Sequence, residues 1–330
     1  MNTNPDFQKI LSRRCAAVLC RKPPVVAAFD TDFERALPAF SAFAAANPGT
    51  TVLLQLGFEH EDPALAAHLG ETVARFREAA PGARAIVLCN TRKECEAVSA
   101  NGAETRFIHQ NCFLDERRYM PMGRKRPYDA AYIARLTPCK RHELVPPQLA
   151  PRLMLMGCET KIYDSERGYA DMVRSRYAAA KWIPVFSGAR ISEYLALAKC
   201  GLVLSAREGA SFCSSEYFLC GIPVVDTPAV GGRSELYPAD YVEYADATPE
   251  SVGEAVAHWA ANRPDPRKVR SAWLDMAAPH REAYRGLMRE LTGRAPGRFP
   301  HKLALRTPHP GTVHSLAIRA YLAAKRLVAG

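Results

Sequence analysis

Short apolar runs alternate along the chain with longer stretches in which apolar residues recur every three to four positions. Residues 25–29, 51–56, 85–88 and 106–109 form the first set of runs, and 32–45, 63–79 and 92–100 between them carry helical spacing. A helix is also predicted over 7–20, ahead of the first strand. Apolar strands separated by helices predict a parallel sheet covered on both faces.

The alternation stops at 114–127, where Arg117, Arg118, Arg124, Lys125 and Arg126 crowd together with Pro121 and Pro127. This composition predicts a linker, with Met120 and Met122 as packing or hinge residues. Beyond it the pattern restarts. Strands are predicted at 130–134, 153–156, 183–186, 202–205, 223–226 and 241–244, and the clearest helices at 191–199, 212–220, 249–261 and 268–291. The fold class is therefore α/β: two Rossmann-like domains facing a cleft, the first one short. The boundaries are an acceptor-side domain at 1–120, a nucleotide-binding domain at 121–295 and a basic tail at 296–330. A length of 330 residues suits two domains, and a cleft between them is a natural meeting place for two substrates.

Composition narrows the setting. Apolar residues make up 48% of the chain, ample for buried cores, yet no run reaches the roughly 18–20 apolar residues of a membrane span. The amino-terminal stretch lacks a secretory pattern, so a cytoplasmic protein is expected, soluble or peripheral at the inner face of a membrane. The ten cysteines form no Cys-x-x-Cys pair and no zinc-type cluster. Cys15, Cys20, Cys89, Cys200 and Cys220 stand in apolar contexts and read as buried free thiols. The net charge of +10 is uneven: residues 291–330 hold seven Lys and Arg and no Asp or Glu. Within the tail, 313–328 has the spacing of an amphipathic basic helix. It either packs across the first domain or docks on anionic lipid.

Candidate chemistry gathers at the ends of predicted strands. Glu208 and Glu216 bracket seven residues that read as a strand-to-helix turn, with backbone amides at Ser211, Phe212 and Cys213 able to hold an anion. Arg135 and Lys140 follow the first strand of the second domain, where two cations can stabilise a leaving diphosphate; the alternative is a surface pair. Gly231 and Gly232 permit close backbone approach, or simply make a turn. Asp30 and His60, after the first two strands, point toward the cleft and are candidates to orient an acceptor hydroxyl, or loop residues with no role.

In its second half the chain resembles the retaining glycosyltransferases of the GT-B fold, family four. The ordered features are Arg135, Leu136 and Lys140 after a strand, a strand ending at Gly157, a turn at 185–188 with Gly188, and a helix opening with Ser192, Glu193 and Tyr194. Glu208 and Glu216 follow, then Gly221 to Val225, Thr227 and 231–235, while 108–115 takes the place of the hinge segment. Ala134 stands where the family usually has glycine, and residues 209–212 replace its Gly-Phe-Gly. The resemblance spans roughly 90–262. It implies sugar transfer with retention from a nucleotide-sugar donor to a surface polysaccharide or glycolipid. It also implies that Arg135 and Lys140 grip the donor phosphates, that Glu208 touches the donor sugar near its reacting carbon and that Glu216 holds the ribose hydroxyls. The donor is a substrate, so no cofactor is expected; no metal is needed where Arg and Lys neutralise the diphosphate. Expected partners are the nucleotide sugar, a glycan or lipid-linked glycan, and an anionic membrane surface. No nucleic-acid motif is present. The rival readings are an epimerase-like relative of the same fold and a non-enzymatic basic module binding membrane or nucleic acid.

Overall fold

The computed structural model describes residues 4–13, 15–157, 162–184, 190–300 and 303. Gly188 with its 185–188 turn, and the tail segment 313–328, lie outside the described residues. The first half holds a five-stranded sheet in the order β1 (Ala16–Arg21), β2 (Pro24–Phe29), β3 (Thr51–Gln55), β4 (Arg84–Cys89), β5 (Glu104–Phe107). β1 is antiparallel to β2 and the rest are parallel. Because the parallel strands follow one another in a single direction, right-handed crossovers place their helices on one face. These are α2 (Asp30–Arg35), α3 (Leu37–Ala46), α4 (Pro63–Ala79) and α5 (Arg92–Ala100), joined by α1 (Pro5–Ser12). That face is read off the register: Val26, Ala28, Val52, Leu54, Ala85 and Val87 share one core with Phe33, Phe40 and Phe76.

The alternate residues Val25, Ala27, Leu53, Ile86 and Leu88 face the other way. They are covered by the crossover segment, through Ile108, Phe113 and Tyr119, and by the far end of α10 (Pro266–Thr292). Helix α10 begins on the second half, with Trp273 and Ala277 buried, and ends on the first, with Tyr284 and Leu287 buried. Pro279 sits where it passes from one to the other. Arg84 and Arg106 bind Glu290 near its end.

The second half holds a parallel six-stranded sheet in the order β11 (Val242–Tyr244), β10 (Val224–Asp226), β9 (Ala198–Val203), β6 (Tyr128–Ile133), β7 (Leu153–Met156), β8 (Lys181–Ile183). The chain runs outward from β6 in one direction and then returns to β9 to run outward in the other. This is a doubly wound sheet with a switch point between β6 and β9. Its described helices are α6 (Arg167–Arg176), α7 (Ile191–Leu195), α8 (Phe212–Leu219), α9 (Pro249–Ala261) and α10.

Several expected elements differ. The helix over 7–20 stops at Ser12, and 16–21 is instead an edge strand paired with β2, so propensity yields there to non-local pairing. The helix over 32–45 starts at Asp30 and breaks at Ala36, just before Pro38, whose missing N–H and fixed φ favour a new helix start. The helix over 191–199 ends at Leu195, and Ala198–Val203 is a buried central strand, with Lys199 Nζ bonded to Asp129 (2.7 Å). Cys20 is half-buried and Met120 is 47% exposed, whereas Cys15, Cys89, Cys200 and Cys220 are buried. No described helix is long and apolar enough to cross a membrane.

Candidate active site

The switch point sets two loops side by side: 134–141 after β6 and 204–211 after β9. Lys140 Nζ donates to Ser205 Oγ (3.0 Å) and to Glu208 Oε1 (3.0 Å), and Ser205 Oγ donates to Glu208 Oε2 (2.8 Å). The Lys140 and Glu208 side chains are each 18% exposed. Arg135, half-buried on the same loop, has no charged partner among the described residues.

Two further arginines hold this geometry. Arg141 adopts left-handed backbone (φ 49°), the one non-glycine residue to do so among the described residues. Its guanidinium donates to the Leu204, Ser205 and Pro228 carbonyls and to Thr227 Oγ1 (2.9 Å). Arg233 is buried, donates to the Ser205 and Thr227 carbonyls and pairs with Asp226 (2.9 Å). Burial raises the Asp226 carboxyl to about 6 despite the guanidinium beside it. Together the two guanidinium groups bind the loops after β9 and β10, so the Ser205 backbone is fixed from two sides.

Ser211 caps α8, its Oγ accepting the Ser214 amide at 3.4 Å. Phe212 and Cys213 form the first turn, and burial raises the Cys213 thiol to about 12. The cap is held from the crossover: Asn111 Nδ2 donates to Ser211 O (2.6 Å) and Ser215 Oγ (2.9 Å). Glu216 lies in the second turn of α8, one turn later than an anion-binding first turn, and the Tyr119 hydroxyl is bonded to it. Burial first, and then the Glu216 carboxylate, push that phenol up.

The first half meets these loops directly. Arg207 Nε donates to Glu59 Oε1 (2.7 Å), and Arg207 Nη2 lies 3.5 Å from Asp62 Oδ2. Gly209 and Gly231 pack so closely that a Cβ would lie 2.9 Å from Phe58 O and 2.4 Å from Glu208 O, respectively. A Cβ on Gly232 would meet Thr91 Cγ2 at 2.5 Å. What Gly231 and Gly232 admit is thus neighbouring protein. Asp30 and His60 are buried and face each other, with His60 Nε2 3.4 Å from Asp30 Oδ2. Asp30 Oδ1 accepts the Gly57 amide (2.9 Å), and Glu94 accepts the His60 amide (3.0 Å). Glu94 is buried, which raises its carboxyl.

The structure therefore brings Lys140 and Glu208 into contact, Ser211 to Cys213 into one helix start, and Asp30 onto His60. Glu59, Ser205, Arg207 and Asn111 were not singled out from the sequence. Ser205 ends a predicted strand, the one signal that pointed there.

Among the described residues no group of three His, Cys, Asp or Glu side chains is placed to hold a metal ion.

Two α/β halves meeting at the carboxyl edge of a doubly wound sheet define the GT-B fold. No protein-family model and no curated protein matches the chain. Solved structures are similar. Anabaena HepE in complex with UDP and glucose matches with a TM-score of 0.56 and 16% identity, over 78% of this chain and 73% of that one. Sucrose-phosphate synthase from Thermosynechococcus elongatus matches with a TM-score of 0.54 and 14% identity, over 90% and 79%. An α,α-trehalose-phosphate synthase (UDP-forming) from Burkholderia xenovorans, in complex with glucose-6-phosphate, matches with a TM-score of 0.54 and 13% identity, over 86% and 76%. At these identities the likeness is one of fold.

Proposed function

We propose that the protein is a glycosyltransferase that moves a sugar from a nucleotide-sugar donor to a glycan or lipid-linked glycan, with retention of configuration. The observation that carries this reading is the Lys140–Ser205–Glu208 cluster at the switch point between β6 and β9, the crevice in which doubly wound sheets bind nucleotides. In this reading the donor diphosphate lies between Lys140, Arg135 and the α8 amides, which offset charge as it builds on the leaving group. Glu208 then faces the donor sugar, and Glu216, already hydrogen-bonded to Tyr119, holds the ribose. Asp30 and His60 orient the acceptor hydroxyl from the first half. The domains assigned at 1–120 and 121–295 are the acceptor and donor sides.

Uridine diphosphate and its sugars are the first donors to test, since HepE was solved with UDP-glucose. A thermal-shift screen against UDP, GDP, ADP, CMP and their sugars should give a selective rise in melting temperature, lost in Lys140→Ala. No shift with any of them would remove the donor-site reading. Inverted configuration in the product, read by NMR, would remove retention.

A further inference from the structure

A second basic site lies at the opposite edge of the second sheet. The linker residues leading into β6 and the turn between α9 and α10 line an open depression of about 440 Å³. Arg124, Arg126 and Arg263 line it with Met122, Gly123 and Pro264, and no acidic side chain does. Arg126 is half-buried and has no hydrogen-bond or ion-pair partner among the described residues. Burial and then the neighbouring Arg263 lower its basicity. Asp265, the carboxylate on the turn, is committed elsewhere: it accepts the Arg267 amide (2.9 Å) as the cap of α10. Pro127 after Arg126 and the prolines at 264 and 266 restrict the backbone on both walls.

A half-buried guanidinium set against a second one, without an acid, is held at a cost that a bound anion would offset. Proteins solve the same problem elsewhere in this chain by pairing, as Arg233 does with Asp226. We propose that this depression binds a phosphate-bearing anion, either a soluble phosphorylated molecule or the headgroup of an anionic lipid. Guanidinium pairs suit phosphate oxygens because their planar N–H forks match them. The site is separate from the candidate active site. The turn carrying Arg263 seats on the carboxyl end of α8, where a Cβ on Gly221 would lie 2.5 Å from Pro266, whereas the amino end of α8 adjoins Glu208.

The test is calorimetry with inorganic pyrophosphate on the full chain carrying Lys140→Ala, which disables the proposed donor site. Saturable binding is expected, weakened about ten-fold or more by Arg126→Ala and by Arg263→Ala, the loss of one charge-assisted contact. Arg263 is exposed, so its replacement leaves the fold intact, and Arg126→Lys should retain part of the binding. No binding by the parent protein, or binding undiminished in both alanine variants, overturns the proposal. Sedimentation with phosphatidylglycerol vesicles separates the sources. Vesicle binding removed by Arg263→Ala assigns the anion to lipid, and pyrophosphate binding without it assigns the anion to a soluble phosphate.

Discussion

Lys140 and Glu208 carry opposite charges 3.0 Å apart with most of each side chain covered, so removing either leaves the other uncompensated. Each single alanine variant should lose about 1–3 kcal/mol of stability, and the double variant less than their sum. Denaturant midpoints of the four proteins measure this coupling, and additivity within about 0.5 kcal/mol would mean that the pair does not hold the loops together. Each single variant should also abolish sugar transfer, because in the proposed reaction Lys140 neutralises the leaving diphosphate and Glu208 contacts the sugar. Both residues were legible in the sequence because each follows a strand. Their bond was not, since it depends on β9 lying beside β6, a neighbour relation between segments some 70 residues apart. Glu59 was invisible for the same reason: only Arg207, across the interface, distinguishes it from an ordinary loop acid.

At the level of elements, the seat of α8 on β9 governs where that helix begins. Gly201 lies under the Tyr217 ring, and a Cβ there would fall 2.2 Å from it. The Tyr217 hydroxyl accepts the Ile133 amide (2.7 Å) at the end of β6, so one side chain ties helix, strand and switch point together. Gly201→Ala should therefore displace α8 and cost about 1–3 kcal/mol or more. Tyr217→Phe leaves a buried amide without its acceptor and should cost about 1–3 kcal/mol. Thermal unfolding checks both, and a Gly201→Ala protein as stable as wild type would show that α8 shifts without resistance. The helix itself was readable over 212–220, with a serine at its cap. The strand beneath it was readable only over its second half, expected at 202–205, because Ala198, Lys199 and Gly201 carry weak strand propensity and are recruited by burial between β6 and β10.

Across the whole molecule, the one-directional winding of the first sheet has a long-range consequence. Its second face has no crossover helix of its own and must be covered by the crossover segment and by α10, which arrives more than 150 residues after β5. The sequence pattern required cover on both faces but did not say from where. The junction buries two histidines, His109 and His280, against each other. The His109 amide donates to His280 Nδ1 (3.2 Å), and His109 Nδ1 accepts the Asn111 amide (3.2 Å) while its Nε2 donates to the Gly232 carbonyl (3.2 Å), so both rings are neutral. Burial lowers His109 to about 3, and His142 likewise. In the unfolded chain these rings titrate near 6.5. Their neutral burial is therefore without cost above about pH 6.5, and the stability they allow is lost as pH falls toward 3, because only the unfolded state takes up protons. Raised carboxyls at Asp226 and Glu94 act in the opposite direction, which makes a single-residue difference the clean measurement. Between pH 7.5 and 5.5 His109 alone should account for about 1.4 kcal/mol of lost stability. Urea midpoints of wild type and His109→Gln at the two pH values test this. The variant starts less stable but should lose about 1.4 kcal/mol less on acidification. Equal losses would mean that the junction admits a proton to His109 without opening, and that the two halves are less tightly closed around it than their hydrogen bonds imply.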